Sequence, residues 1–128
     1  MKKLVLAVIA LSFSVGVNAA CTRNDLTGTW VVYSSGAYSY ATRCQLTFLK
    51  SGNTASASCL TANGVTANAT LTVSTFDKDC HMVGTLVTPA DTAVVDSYVS
   101  KGKDSMSGMW IETIGTNIDS GSFNGSKQ

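Results

Sequence analysis

Four cysteines, Cys21, Cys44, Cys59 and Cys80, are the residues of this chain best suited to chemistry of their own. Cysteine pairs can form disulfides, bind metal ions or act as redox couples. A zinc site is disfavoured because there is no CxxC motif and only one histidine, His81. A redox couple is disfavoured because it too lacks CxxC spacing. An even number of cysteines favours two disulfides.

Cys44 and Cys59 flank the turn-like segment SGN in the stretch RCQLTFLKSGNTASASCL. If Ser51-Gly52 is a two-residue hairpin loop, Cys44 lies directly opposite Cys59 on the neighbouring strand. Opposed Cβ atoms are roughly 4.5–5.5 Å apart, so a small adjustment brings the two sulfur atoms into bonding distance. The spacing therefore predicts the disulfide Cys44–Cys59, with Leu46 facing Ala57 in the same register.

The N-terminal sequence MKKLVLAVIALSFSVGVNAAC resembles a secretory signal peptide, with a basic start, an apolar run over residues 4–15 and small residues before the cleavage position. The apolar run is shorter than the roughly 20 residues that span a bilayer, which disfavours a membrane anchor. Lipidation of Cys21 is disfavoured because Asn18 stands where a lipoprotein signal carries an aliphatic residue. We predict a signal peptide at residues 1–19, a single β-barrel domain at residues 20–128, and a periplasmic or secreted location.

The charge balance disfavours polyanionic partners. The formal net charge is +1, and losing Lys2 and Lys3 with the signal peptide makes it −1. Nucleic acids and anionic membrane surfaces bind clusters of basic residues, and the mature chain has no basic run. We therefore predict neither as a partner.

Turn-forming residues divide the chain into short segments rich in Thr, Val, Tyr and Ser, which have high β propensity. In NATLTV, Ala67, Ala69, Leu71 and Val73 share one face and polar residues share the other, as on a strand with one buried face. The predicted turns are SSGA at 34–37, KSGN at 50–53, ANG at 62–64, DKD at 77–79, TPAD at 88–91, KGKD at 101–104 and GTNIDSG at 115–121.

Seven turns between eight segments predict an all-β fold, an eight-stranded antiparallel up-and-down β-barrel with two disulfides. In this order the eighth strand runs antiparallel to the first, so the sheet can close without leaving an edge. An open β-sandwich is the alternative.

The next hairpins are expected to keep the same inner face. A three-residue ANG loop places Cys59 opposite Ala67. Asp77-Lys78 as a two-residue loop places Val73 opposite Met82.

Cys21 and Cys80 fall at the opposite end of the predicted barrel from the other two cysteines. Cys80 begins the fifth strand, at the end where the first strand also begins, and Cys21 comes shortly before that first strand. Any other pairing would span the length of the barrel. We predict Cys21–Cys80 as the second disulfide.

The remaining polar residues do not form a recognisable catalytic or metal site. His81 is interpreted as a partly exposed strand residue without a complete set of catalytic partners. The aspartates mostly fall in predicted turns, where Asp bonds local backbone groups, and they lack the spacing of a calcium loop. We predict a protein that is not an enzyme and has no cofactor or metal. The aspartates are Asp77, Asp79, Asp91, Asp104 and Asp119.

The first strand, DLTGTWVVYS, contains Gly28-Thr29-Trp30, which resembles the G-x-W that opens the barrel of lipocalins and avidins. The resemblance implies that Trp30 packs inside one barrel end in a structural role. The segment SMSGMWIETIGTNIDSGSFNG is similar to the last hairpin of many exported bacterial meander barrels.

A second resemblance is to the small periplasmic inhibitors of bacterial metalloproteases, which combine an L-S/T-G-x-W first strand with a C-x-I/L-x-L … C hairpin disulfide. Residues 26–30 (LTGTW) and residues 44–48 (CQLTF), with Cys59, are similar to these motifs. The resemblance implies inhibition by an extended N-terminal segment that enters the protease cleft, which here would be residues 20–25.

Six aromatic residues fall on strands that adjoin in a closed barrel: Trp30, Tyr33, Tyr38, Tyr40, Trp110 and Phe123. They either fill a core or border a cavity that binds an apolar or planar ligand. Tyr38, Tyr40 and Trp110 are the candidate ligand-binding residues. We predict a barrel that binds a small apolar molecule or a protein partner. The alternatives are an inhibitor of a secreted or periplasmic hydrolase and a structural surface or matrix protein.

Overall fold

The computed structural model describes residues 19–128. Residues 1–18 of the predicted signal peptide lie outside the described residues. A short 3-10 helix precedes eight β-strands. The helix is Arg23–Leu26, and the strands are β1 (Gly28–Gly36), β2 (Thr42–Phe48), β3 (Thr54–Thr61), β4 (Thr66–Phe76), β5 (His81–Val87), β6 (Thr92–Val99), β7 (Ser105–Ile114) and β8 (Asn117–Lys127). Within the described part of the chain, no helix is long and apolar enough to cross a membrane.

The eight strands form a closed antiparallel barrel in chain order, which confirms the predicted fold class. β8 closes the barrel by pairing with β1, from Trp30 opposite Lys127 to Gly36 opposite Gly121. The open sandwich is wrong. Because every one of these strands is paired on both sides, none of them offers an unpaired edge to another chain.

The β2–β3 hairpin has the predicted register, with Cys44 opposite Cys59 and a disulfide between them. Its connecting loop is longer than the predicted Ser51-Gly52, because the Leu49 N–H donates to the Thr54 carbonyl oxygen at 3.0 Å. The loop therefore comprises residues 50–53, the range predicted for the turn. Lengthening a loop by one residue on each side leaves the strand register unchanged, so the cysteines stay opposed.

The predicted β4–β5 register is wrong. Val73 pairs with Gly84 rather than with Met82, because a β-bulge follows Val73 and the turn contains four residues, 77–80. A bulge adds one residue to a strand and reverses the faces of those beyond it. It brings Phe76 to the inner face, opposite Met82.

The β7–β8 turn is shorter than predicted. It consists of Gly115 and Thr116 rather than residues 115–121, and β8 begins at Asn117. Gly115 has a φ of 62°, in the left-handed region where a two-residue hairpin loop favours glycine. Asp119 was expected in this turn and instead lies on β8.

The two ends of the barrel differ. The end carrying the 3-10 helix and the β2–β3, β4–β5 and β6–β7 turns is called the closed end. There Leu26 and Trp30 are fully buried, and the Trp30 indole N–H donates to the Leu26 carbonyl oxygen at 2.8 Å. The disulfide Cys21–Cys80 is present as predicted and ties the segment before the helix to the β4–β5 turn. The opposite end, with the β1–β2, β3–β4, β5–β6 and β7–β8 turns, is called the open end.

Side-chain bonds hold the 3-10 helix across the closed end. Arg23 Nη1 donates to Asn53 Oδ1 and to the Val73 carbonyl oxygen, both at 2.9 Å. Lys103 Nζ lies 3.0 Å from Asp25 Oδ2. The helix therefore contacts several turns at once and seals this end of the interior.

Candidate functional site

A cavity of about 270 Å³ lies mainly in the half of the barrel nearest the open end and reaches Met82 and Met106 toward the closed end. Side chains from all eight strands line it, and most are apolar, including Val32, Leu46, Leu71, Leu86, Val95 and Phe123. The interior of an eight-stranded barrel is either filled by side chains or wide enough to hold one small ligand. The open half of this barrel has room for such a ligand.

The cavity arises because inward positions near the open end carry small side chains. These residues are Ser34, Thr42, Thr61, Ala67 and Ala93. The closed end also has small inward residues such as Ala55, but Trp30 and Phe48, both buried, fill the space there. The same alternating pattern therefore builds a packed core at one end and leaves volume at the other.

Trp110 is the largest side chain of the cavity wall, and two glycines make room for its ring. Gly121 is its partner on β8, and Gly36 lies beyond it on β1. A Cβ atom would lie 2.6 Å from Trp110 Cζ2 at Gly36 and 2.7 Å from it at Gly121. Contacts this short do not occur, so a larger residue at either position would clash with the indole, and at Gly121 it would also meet the Ser35 carbonyl oxygen at 1.9 Å. Glycine inside a strand is a signal of close approach that the sequence analysis did not use.

The Trp110 indole N–H is a hydrogen-bond donor in an otherwise largely apolar wall. Its Nε1 is buried and has no hydrogen-bond partner among residues 19–128. A buried donor without a partner costs roughly 1–3 kcal/mol. A ligand oxygen or nitrogen that accepts this N–H would remove that cost.

Three carboxyl groups lie around the open end of the cavity. Asp91 and Glu112 line the cavity from the β5–β6 turn and from β7, and Asp119 lies opposite Glu112 on β8. Burial raises the pKa of Glu112, and a hydrogen bond with Asp91 and the negative charges of Asp91 and Asp119 raise it further. Glu112 therefore holds a proton more readily than an ordinary glutamate. Together, these three carboxyl groups were not predicted from the sequence as a site.

Asp119 also anchors the β1–β2 loop. Its Oδ1 accepts the backbone N–H of Tyr38 at 3.2 Å and that of Ser120 at 2.9 Å. The Ser39 hydroxyl, with these backbone donors, holds the pKa of Asp119 below its usual value, although burial opposes this. The side chain is only 4% exposed, so an ionised carboxylate sits inside the open end of the barrel.

The structure separates the three residues predicted to bind a ligand. Trp110 lines the cavity. Tyr38 and Tyr40 lie in the β1–β2 loop, are 88% and 61% exposed, and are not part of the cavity lining. Cys44 and Cys59 do line it, so the hairpin disulfide forms part of the wall. A ligand-binding role for Tyr38, Tyr40 and Trp110 stays a prediction.

His81 lies on the outer surface near the closed end. Its Nε2 is 2.7 Å from Asp96 Oδ1, its Nδ1 is 3.9 Å from Asp77 Oδ2, and its ring stacks on Tyr98 with centroids 4.6 Å apart. Both ring nitrogens therefore face carboxylates rather than a nucleophile. Within residues 19–128, no group of three or more His, Cys, Asp or Glu could hold a metal ion, and every cysteine is in a disulfide.

The barrel is similar to the solved structure of EF1p2_mFAP2b bound to DFHBI. The TM-score is 0.70, the sequence identity is 13%, and the alignment covers 81% of this chain and 94% of that chain. At this identity the likeness shows a shared fold alone. The sequence matches no protein-family model and no curated protein. The bacterial origin and the resemblance to metalloprotease inhibitors stay predictions.

Proposed function

We propose that this protein is an exported, non-enzymatic β-barrel that binds a small apolar molecule in the open-end cavity. The observation that carries the proposal is the apolar cavity of about 270 Å³ with Trp110 in its wall. A water molecule occupies roughly 30 Å³ in the liquid, so this volume corresponds to a ligand of about nine non-hydrogen atoms. The two disulfides support export, because disulfides persist in oxidising compartments.

The similar protein EF1p2_mFAP2b was solved bound to DFHBI. A barrel of this shape is thus compatible with holding a small molecule, which agrees with the proposal. The ligand of the present chain has to follow from its own cavity, because only 13% of the aligned residues are identical.

The inhibitor alternative has less support. Inhibition through residues 20–25 would require a free, extended segment that can enter a protease cleft. In this chain Cys21 is buried and bonded to Cys80, and Arg23 donates to Asn53. The segment is therefore held against the closed end.

Variants that retain a single tryptophan test the proposal. Trp30→Phe leaves Trp110 as the reporter in the cavity, and Trp110→Phe leaves Trp30, which is buried at the closed end. We expect phenethyl alcohol to change the emission of the wild type and of Trp30→Phe saturably. We expect no such change in Trp110→Phe. A saturating ligand should also raise the melting temperature, because it binds the folded state alone.

Two outcomes would contradict the proposal. The first is the absence of a saturable emission change and of a thermal shift in the wild type, across a panel of neutral apolar probes of this size. The second is an emission change that persists in Trp110→Phe, which would place the bound probe near Trp30 at the closed end.

A further inference from the structure

The cavity is apolar along its wall and acidic at its mouth. Its lining contains two carboxyl side chains, Asp91 and Glu112, and no lysine or arginine. We propose that the ligand is a small molecule with an apolar body and a protonated amine, with the body against Trp110 and the amine between Glu112 and Asp91. This inference rests on the proposed function and specifies the chemical class of its ligand.

Asp119 adds a third carboxylate at this end of the barrel, next to the residues that line the cavity. It is 4% exposed, and its Oδ2 has no hydrogen-bond partner of regular geometry among the described residues. It lies opposite Glu112 on the inner face. A buried carboxylate oxygen without a donor is unfavourable. An ammonium group carries three N–H donors and a positive charge, so it can serve several carboxyl oxygens at once.

The basic residues of the described chain are segregated from this acidic group. Arg43 is the exception in the open half, and its side chain is exposed on the outer face of β2, alternating with the inward Thr42 and Cys44. The others belong to the 3-10 helix, to the closed-end turns or to the end of β8: Arg23, Lys50, Lys78, Lys101, Lys103 and Lys127. The charge of the carboxyl groups at the mouth is therefore not neutralised within the site. An anionic ligand would be repelled there.

The titration of Glu112 agrees with this geometry. Burial, the hydrogen bond with Asp91 and the charges of Asp91 and Asp119 raise its pKa, because they oppose a further negative charge. A bound ammonium ion reverses that balance and favours the ionised carboxylate. Amine binding should therefore lower the pKa of Glu112, whereas binding of a neutral analogue should not.

Isothermal titration calorimetry with three matched probes tests the inference. Phenethylamine, phenethyl alcohol and phenylacetate share one apolar body and differ in the charge of the head group. At neutral pH and one ionic strength, we expect the amine to bind about 10-fold or more tightly than the alcohol, the increment of a charge-assisted hydrogen bond. Phenylacetate should bind more weakly than the alcohol. Repeated across the pH range in which Glu112 titrates, in two buffers of different ionisation enthalpy, the titrations should detect proton release with the amine alone.

Glu112→Gln should bring the affinity for phenethylamine to within about 3-fold of that for phenethyl alcohol, because the charge-assisted bond is lost. The affinity of the same variant for the alcohol is the reference for this comparison. Asp79→Asn is the matched control, since it removes an equal charge from an exposed turn at the closed end. It should preserve the preference for the amine.

The failures are distinguishable. If the alcohol binds but the amine binds no better, or if Glu112→Gln keeps the full preference, the amine inference is overturned and the proposed function stands. If phenylacetate binds best, the inference is likewise overturned. If none of the probes binds the wild type, the proposed function fails and the inference fails with it.

Discussion

Replacing Ala93 with leucine tests whether the open half of the barrel holds a cavity or a packed core. Ala93 lies on β6, is 8% exposed, lines the cavity, and faces Leu86 and Glu112 on the neighbouring strands. Leucine adds three carbon atoms. At roughly 30 Å³ each, the liquid volume of a water molecule, they would fill about a third of the 270 Å³.

The sign of the change in the free energy of unfolding distinguishes a cavity from a packed core. Burying a methylene contributes about 0.8 kcal/mol, so three contribute about 2.4 kcal/mol. Ordering the leucine side chain costs about 0.5–1 kcal/mol, which leaves a stabilisation of about 1.5 kcal/mol. At a site that is already packed, the added carbons instead cost about 1–3 kcal/mol.

Urea unfolding of the oxidised mature protein, followed by circular dichroism, measures this change. Ala55→Leu is the control, because Ala55 is 1% exposed, lies opposite Phe48 and Leu71, and is not part of the cavity lining. We expect Ala93→Leu to raise the free energy of unfolding and Ala55→Leu to lower it. Equal destabilisation by both substitutions would refute the cavity.

Three further predictions follow from the disulfides, Glu112 and the exposed tyrosines. Replacing both cysteines of a disulfide by alanine should lower the free energy of unfolding by about 3 kcal/mol for Cys44–Cys59 and by about 4 kcal/mol for Cys21–Cys80. The second value is larger because Cys21–Cys80 closes the longer loop. Equal urea midpoints for the reduced and the oxidised wild type would contradict this prediction. Because the pKa of Glu112 is raised, its stabilising contribution is present below its usual value of 4.5 and is lost as the pH rises through the raised value. Glu112→Gln should therefore show a higher melting temperature than the wild type at neutral pH and a similar one in acid, and the opposite order would be contrary to the assigned shift. Tyr38→Ala combined with Tyr40→Ala should leave the melting temperature unchanged, since both side chains are exposed; calorimetry on the same variant measures whether they contribute to binding.

A hairpin register could be predicted from the sequence only where the real loop exceeds the assumed loop by the same number of residues on each side. Cys44 lies opposite Cys59 as predicted, although the connecting loop has four residues instead of two, because the loop is longer by one residue on each side. The β4–β5 register failed because a bulge adds a residue to one strand alone. Ser74 and Thr75 are both small, polar and exposed, so the alternation of polar and apolar residues does not reveal which of them is extra.

The candidate site was harder to predict than the fold because its residues depend on contacts far apart in the chain. Asp119 fits a turn by composition. Its carboxylate is stabilised inside the barrel by the backbone N–H of Tyr38, 81 positions away in the sequence. Gly36 and Gly121 could have been read from the sequence as part of the site, because a glycine inside a strand indicates that another group approaches closely. Recognising Trp110 as that group required the closure of β8 onto β1.

Fold and ligand recognition therefore depend on different kinds of sequence information in this barrel. The alternation that specifies the inner face recurs along strands such as β3, β4 and β6, so one misplaced register leaves the remaining pairings and the closure intact. The acidic mouth depends on three carboxyl groups from the β5–β6 turn, β7 and β8, and each of these residues resembles an ordinary surface acid in the sequence. The 3-10 helix that seals the closed end and the disulfide Cys21–Cys80 lie at the other end of the barrel from these groups. Substitutions at the mouth should therefore change ligand preference while the closed-end core maintains the fold.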